Sequence, residues 1–375
     1  MKGRMFVVNE ATLKDTQKNN IVSVFAPDTI CDPDPKVGKQ WLKTLADIMA
    51  DMLQVEIGDY IFLWETSDNN KKSRIHGVYR AISKPYYQCN STSDKAPFKI
   101  KVEKAYDFEN ALDEYDVLNC PYIKDSLWTI IGKKVAGKSR GTSPLSIMEI
   151  KHLITLLIGK NPNYKFYKKD LSRVVKVSNE LQINYANKGV NVKPTSLLSL
   201  KPNNLNYLNT NSNVHYEKIL ETILNQEMAN RNASFFSQIG VDVSKVLWYS
   251  NYLPYSIEQS EMDYVIIESE DGINISKIFV IELQAKQIDD DHMHRCLMYS
   301  KWVNETLALG TGIAQPILIC PKSYDFIKGE KNKVSQRCLT DLNNTAQKYE
   351  SLYGVKPLEV YEYSFEKTPT FTKKR

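Results

Sequence analysis

The strongest chemical signal lies in two neighbouring apolar stretches. The first is Glu261-Met-Asp263-Tyr-Val-Ile-Ile-Glu-Ser269. After a turn region around Gly272 comes Lys277-Ile-Phe-Val-Ile-Glu282-Leu-Gln284-Ala-Lys286. Side chains alternate along a strand, so Glu282, Gln284 and Lys286 share one face while Phe279, Ile281 and Leu283 fill the other. Asp263 lies on the neighbouring strand of the hairpin and reaches the same end of the sheet. Two carboxylates meeting at a strand end, Asp263 and Glu282, make a hard-oxygen site suited to Mg²⁺. Such an ion activates water, orients a phosphodiester and stabilises the charge that develops on it. Gln284 or Lys286 would position the attacking water. The competing account is a surface hairpin with ordinary alternating polar residues. Against it, the strand is strongly apolar, which draws Glu282 and Gln284 at its C-terminal end toward the core.

These residues need a sheet and helices to hold them. Residues 214–229 have helical spacing and carry Glu217 and, one turn on, Glu221. Residues 246–249, 262–267 and 277–284 read as strands. Residues 291–309 read as a helix with Asp289, Asp290 and Asp291 at its positive N-terminus. Residues 313–320 are another buried strand. The order α-β-β-β-α-β predicts an α/β layer around a mixed sheet. On the helix after the strand, His292 and His294 are two apart and do not face each other, so they read as surface residues. Arg295 and Tyr299, four apart, share a face that can contact substrate.

This order of helix Glu, hairpin Asp and strand Glu-x-Gln resembles the PD-(D/E)XK nuclease superfamily over about residues 210–340. Asp263 matches the hairpin carboxylate, Glu282 the strand carboxylate and Glu217 the helix position, with Glu221 as its rival. Gln284 stands where most members have Lys, and Lys286 could supply the ammonium. The resemblance implies a metal-dependent endonuclease with Asp263 and Glu282 on Mg²⁺.

The first part of the chain reads as mixed α/β. Residues 4–9, 60–64, 74–83 and 98–108 are predicted strands, and residues 38–53 and 144–158 predicted helices, the latter from a Thr-Ser-Pro start. Strands around one or two helices suggest a small curved barrel with helical cover. The stretches Met5-Phe-Val-Val-Asn9, Val55-Glu-Ile-Gly58-Asp59-Tyr-Ile-Phe-Leu-Trp64 and Ile75-His-Gly77-Val-Tyr79-Arg-Ala-Ile-Ser83 resemble the PUA-like superfamily, nearest to EVE and YTH-type readers, over residues 3–158. That resemblance implies a flipped, modified base held by stacking and edge hydrogen bonds. Trp41, Trp64, Tyr79 and Tyr86, with Tyr87 beside it, are the candidate rings; a ring in a small barrel also serves as core.

From Lys133 to Lys176 there are eleven Lys or Arg residues against two acids, Glu149 and Asp170. Lys133, Lys134, Lys138 and Arg140 are the candidate phosphate contacts, because neutralising phosphates releases condensed counterions. The chain of 375 residues is long enough for two domains. The expected division is 1–160 for the reader, 161–212 for a basic and Asn-rich linker, and 213–375 for the nuclease. Hydrophobic residues at 42% and charged residues at 25% exclude wholesale disorder. The longest apolar runs are too short to span a bilayer, and residues 1–10 carry no signal-peptide core, so a cytoplasmic protein without a membrane partner is expected. Six scattered cysteines, with no CxxC, argue against zinc and for reduced thiols. The combined reading is an α+β or α/β protein that acts as a Mg²⁺-dependent, modification-dependent endonuclease on double-stranded DNA. A homodimer is expected, because two strands need two active sites, and no nucleotide cofactor. The alternatives are a sequence-specific enzyme acting on unmodified DNA, or a non-catalytic or RNA-directed binding protein.

Overall fold

In a computed structural model of the protein, the described residues are 2–24, 47–66, 73–88, 96–119, 141–167, 183–185, 190–192, 209–210, 213–214, 217–255, 260–285, 288–321, 331–365 and 369–375. They fall into two compact units that divide between Ser199 and Leu200. Both are α+β with a mixed sheet. Among the described residues no helix is long and apolar enough to cross a membrane.

The first unit runs β1 (Gly3–Val8), α1 (Glu10–Asn19), β2 (Ile21–Val24), β3 (Tyr60–Glu65), β4 (Arg74–Ala81), β5 (Tyr86–Tyr87), β6 (Phe98–Asp107) and β7 (Leu112–Asp113). It continues with α2 (Glu114–Leu118), β8 (Thr142–Leu145), α3 (Ile147–Lys160) and β9 (Lys165–Phe166). The main path of the sheet is β2-β6-β4-β3-β1-β8, with β5 and β9 on β6 and β7 on β4. β1 pairs parallel with β3, and the other pairings are antiparallel. The sheet curls. An ideal Cβ placed on Gly141, just before the end strand β8, would meet the Val24 side chain of the other end strand at 2.8 Å. Gly58 turns the chain into β3 at φ 91°, its N–H donating to Ala81 O at 2.7 Å. The concave core gathers Met5, Phe62, Trp64, Ile75, Val78 and Leu145 against Ile150 and Leu153 of α3.

The predicted strands of this unit are present within a residue or two, and residues 47–53 of the first predicted helix are helical. The helix predicted from residue 144 starts later. Pro144 belongs to β8, an end strand where a missing N–H costs no ladder bond. The helix is instead started by Ser146. Glu149 N–H donates to its hydroxyl at 3.2 Å, and Ser146 N–H donates to the Glu149 carboxylate at 2.7 Å. Two short hairpins follow, β10 (Ile183–Tyr185) with β11 (Val190–Val192) and β12 (Asn209–Thr210) with β13 (Asn213–Val214).

The second unit contains α4 (Glu217–Ala229), α5 (Ala233–Phe236), β14 (Val246–Tyr255), β15 (Ser260–Ser269), β16 (Ile275–Leu283) and α6 (Asp290–Thr306). Then come β17 (Ala314–Pro321), α7 (Lys331–Tyr353), β18 (Glu359–Phe365) and β19 (Pro369–Lys373). The sheet order follows the chain, β14 to β19. β14, β15 and β16 form an antiparallel meander, β16, β17 and β18 are parallel, and β19 closes antiparallel. The two parallel steps need crossovers, supplied by α6 and α7. Ile278 to Leu283 of β16 are buried without a break, as expected for a strand covered on both faces. Met293, Cys296 and Leu297 of α6 pack on Leu318 and Cys320 of β17 and Ala346 of α7. Asp289 caps α6, accepting from His292 N at 3.1 Å while His292 Nδ1 accepts from Asp289 N at 3.2 Å.

Candidate active site

The antiparallel register pairs Tyr264 with Ile281, so the next step along the ladder sets Asp263 opposite Glu282. Asp263 Oδ2 accepts from Leu283 N at 2.8 Å, which ties the hairpin carboxylate to the end of β16. Its other oxygen has no hydrogen-bond partner among the described residues. Glu282 is 3% exposed. Its Oε1 is 2.8 Å from Arg295 Nη2 of α6, and its buried Oε2 has no partner. Each carboxylate is therefore held through one oxygen only.

Helix α4 closes the site from a second side. Glu221 is fully buried, accepting from Lys218 Nζ at 2.6 Å and from Asn251 Nδ2 of β14 at 3.0 Å. The Lys218 ammonium also lies 3.1 Å from the centre of the Tyr252 ring. Tyr252 holds the left-handed φ of 56°, uncommon for a bulky residue and typical of strained sites. Glu217, half-buried on the first turn of α4, faces the same group of charges.

Electrostatics follow from this crowding. Burial, then Glu221, holds the Asp263 carboxyl above the usual carboxylate range, with Lys218 and the Leu283 N–H working against the rise. Burial, then Asp263, raises Glu282 well above its ordinary value, with Arg295 opposing. Four carboxylates with one lysine and one arginine form a site short of positive charge, and a like-charge pair at close range favours a proton or a cation. Among the described residues no group of three or more His, Cys, Asp or Glu is arranged to hold a metal ion. Mg²⁺ does not need one: it takes one or two carboxylates and completes its shell with waters and substrate phosphate oxygens. The untethered oxygens of Asp263 and Glu282 would supply the two carboxylate ligands.

Gln284 follows on the same side of the strand as Glu282. It is 4% exposed, with its backbone N–H on Ile319 O at 2.9 Å. Lys286 lies outside the described residues. Arg295 reaches the site by pairing with Glu282. Tyr299, one turn on, is buried, and burial followed by Glu282 pushes its hydroxyl up to about 12.

In the first unit the predicted rings are interior. Trp64, Tyr79 and Tyr86 are 6%, 4% and 3% exposed, and Trp64 belongs to the core beneath α3. Trp41, Lys133, Lys134, Lys138 and Arg140 lie outside the described residues. A different aromatic group sits at the surface. Tyr106 stacks on Phe108 at 5.2 Å between ring centres and packs against Phe166 at 4.9 Å and Tyr164 at 5.9 Å. The Arg80 guanidinium lies over the Tyr60 and Phe166 rings at 5.9 and 5.8 Å. The sequence does not single it out, because its partners come from three separate segments.

No family model matches the chain, and no curated protein matches it. Solved structures share partial likeness. A hypothetical protein from Leishmania major is 11% identical, covering 43% of this chain and 96% of that one, with a TM-score of 0.29. The YTH domain of the Zygosaccharomyces rouxii MRB1 protein, in complex with N6-methyladenosine RNA, is 14% identical over 41% of this chain and 86% of that one, TM-score 0.25. Human THYN1 protein in complex with 5-methylcytosine-containing DNA is 11% identical over 42% and 98%, TM-score 0.24.

Proposed function

We propose that the chain is a Mg²⁺-dependent endonuclease that hydrolyses phosphodiester bonds in DNA with its second unit and reads a base, modified or not, with its first. The observation that carries the reading is the juxtaposition of Asp263 and Glu282 on adjacent strands, each tethered through one oxygen, with Glu282 Oε2 buried and unpartnered. The element order around them supports it too. Helix, three-stranded meander, helix and parallel strand are what the resemblance to the PD-(D/E)XK superfamily implies.

In this reading Asp263 and Glu282 hold the ion, which supplies charge stabilisation at the scissile phosphate and a more acidic bound water. The Leu283 N–H fixes the Asp263 carboxylate and Arg295 fixes that of Glu282. Gln284, two residues beyond Glu282, orients the attacking water through its amide. Glu217 and Glu221 sit behind the pair, and Lys218 balances part of their charge. A second copy of the chain cuts the opposite strand.

The test is incubation of matched duplexes with Mg²⁺, unmodified or carrying 5-methylcytosine, 5-hydroxymethylcytosine or N6-methyladenine, beside an Asp263→Ala control. Cleavage of one modified duplex only, lost in the control, supports the full reading. Cleavage of unmodified DNA at fixed sites keeps the nuclease and removes the dependence on modification. Binding without cleavage of any duplex removes the nuclease. That outcome belongs to a second reading, a nucleic-acid-binding protein without catalysis, which the Arg295 side chain standing on Glu282 favours.

A further inference from the structure

Arg80 is the most anomalous charge in the first unit. It is 3% exposed, and its Nη2 donates to Tyr167 O at 2.8 Å. Its Nε and Nη1 are buried with no hydrogen-bond partner, and no carboxylate among the described residues lies within ion-pair reach. A buried guanidinium normally pairs its N–H groups or finds a carboxylate. Beyond the bond to Tyr167 it has ring faces, Tyr60 at 5.9 Å and Phe166 at 5.8 Å. The register of β4 on β6 slips by one residue between Val78 and Tyr79, just before Arg80. Such a bulge re-aims the side chains beside it.

The cover over this guanidinium is thin. Phe166 and Tyr167 are 52% and 44% exposed. They belong to and follow β9, a strand of two residues held on the edge of β6 by the pairs Tyr106–Phe166 and Asp107–Lys165. Beneath Phe166 the rings of Tyr106, Phe108 and Tyr164 already lie within stacking range of one another. A cluster of rings left at a surface above unpartnered donors is built for a flat group that carries acceptors on its edge.

We infer that this cluster binds an unpaired nucleobase, which stacks on Tyr106 in place of the Phe166 ring and accepts hydrogen bonds from Arg80 Nε and Nη1. An aliphatic ligand would leave the N–H groups unsatisfied, and a phosphate would not use the ring faces. A base uses both, since every base has a π face and carbonyl or ring-nitrogen acceptors. The inference rests on the reading that the chain binds nucleic acid, and it moves base contact from Trp64, Tyr79 and Tyr86 to the Arg80 cluster.

The experiment uses the full chain in EDTA, so that cleavage plays no part. Binding of a short fluorescent single-stranded oligonucleotide is measured by anisotropy across a salt series, against the same strand with abasic sites throughout. The variants are Arg80→Gln and Phe166→Ala, the latter at a half-exposed ring. The expected result is preference of the wild type for the base-bearing strand, a loss of about tenfold in affinity for that strand in Arg80→Gln, a gain in Phe166→Ala because the Tyr106 face is vacated, and an unchanged salt slope. The abasic strand should bind all three proteins alike. Equal binding of the base-bearing strand by all three proteins overturns this inference and leaves the nucleic-acid reading standing. A salt slope reduced by about one in Arg80→Gln makes Arg80 a phosphate contact and also overturns it. A wild type that binds neither strand overturns the nucleic-acid reading, and this inference with it.

Discussion

Replacing Asp263 with asparagine tests the carboxylate group without asking for activity. The amide oxygen of Asn can still accept from Leu283 N, now at 2.8 Å from Asp263 Oδ2, so the geometry is kept and one negative charge is lost. The Asp263 carboxyl is held high by burial and by Glu221. A group with a raised folded pKa binds its proton more readily in the folded than in the unfolded chain. Wild-type stability therefore falls as pH rises above the unfolded value of about 3.9 toward the folded one. Below the unfolded value both states are neutral and the penalty vanishes. Each pKa unit is worth about 1.4 kcal/mol, and the lost attraction to Lys218 takes back part of the gain. A net stabilisation on the order of 1–2 kcal/mol at about pH 8 follows. For a unit of this size it raises Tm by roughly 2–4 °C per kcal/mol. Calorimetry of wild type and Asp263→Asn in EDTA, from about pH 4 to about pH 8, reads the difference. The variant should melt higher at alkaline pH, and the gap should close toward pH 4. Saturating Mg²⁺ should then raise the wild type more than the variant, by mass action. A variant that melts lower than wild type at pH 8, or a gap independent of pH, refutes the reasoning.

Arg295→Ala leaves Glu282 buried with neither oxygen partnered; because the Arg295 side chain is 42% exposed, the cost is discounted to about 1–3 kcal/mol. Urea denaturation should show that cost most fully at alkaline pH and less of it as pH falls, because the folded Glu282 carboxyl, held high by burial and then by Asp263, binds its proton more readily than in the unfolded chain. Gln284→Ala should lower single-turnover cleavage by about a hundredfold while leaving DNA affinity unchanged, as expected for a group that positions water; equal losses in both would make Gln284 a binding residue. Gly3→Ala places a Cβ 2.8 Å from Ile150 Cδ1 and 3.1 Å from Tyr60 O, so the Ile150 side chain must shift or β1 and α3 must part. A loss of about 1–3 kcal/mol in urea is expected, and an unchanged midpoint would show that Ile150 simply rotates away.

What was legible in the sequence and what was not divides on how far apart the deciding residues lie. Asp263 and Glu282 were legible because a hairpin is local. Period-two alternation fixes which side chains share a face, and a turn near Gly272 sets the two strands side by side. The helix Glu was legible only as a choice of two. Nearly all of α4 is buried, from Ile219 to Asn225, so no apolar stripe tells which turn faces the sheet. The structure gives the two acids different parts. Glu221 is the buried one, tied to Lys218 and Asn251 and acting on Asp263 more strongly than the half-exposed Glu217. Trp64 shows the same limit on the other unit. In Tyr-Ile-Phe-Leu-Trp64 four successive residues are buried, so both faces of β3 are interior, and an aromatic residue type cannot mark a pocket wall where every neighbour is core. Arg80 lay beyond sequence reading for the opposite reason. Its rings come from positions 60, 106, 108, 164 and 166, brought together only when β9 returns to the edge of β6. Pattern within a segment reveals strands and their faces; an anomalous charge shows itself only once the segments that leave it unpaired have met.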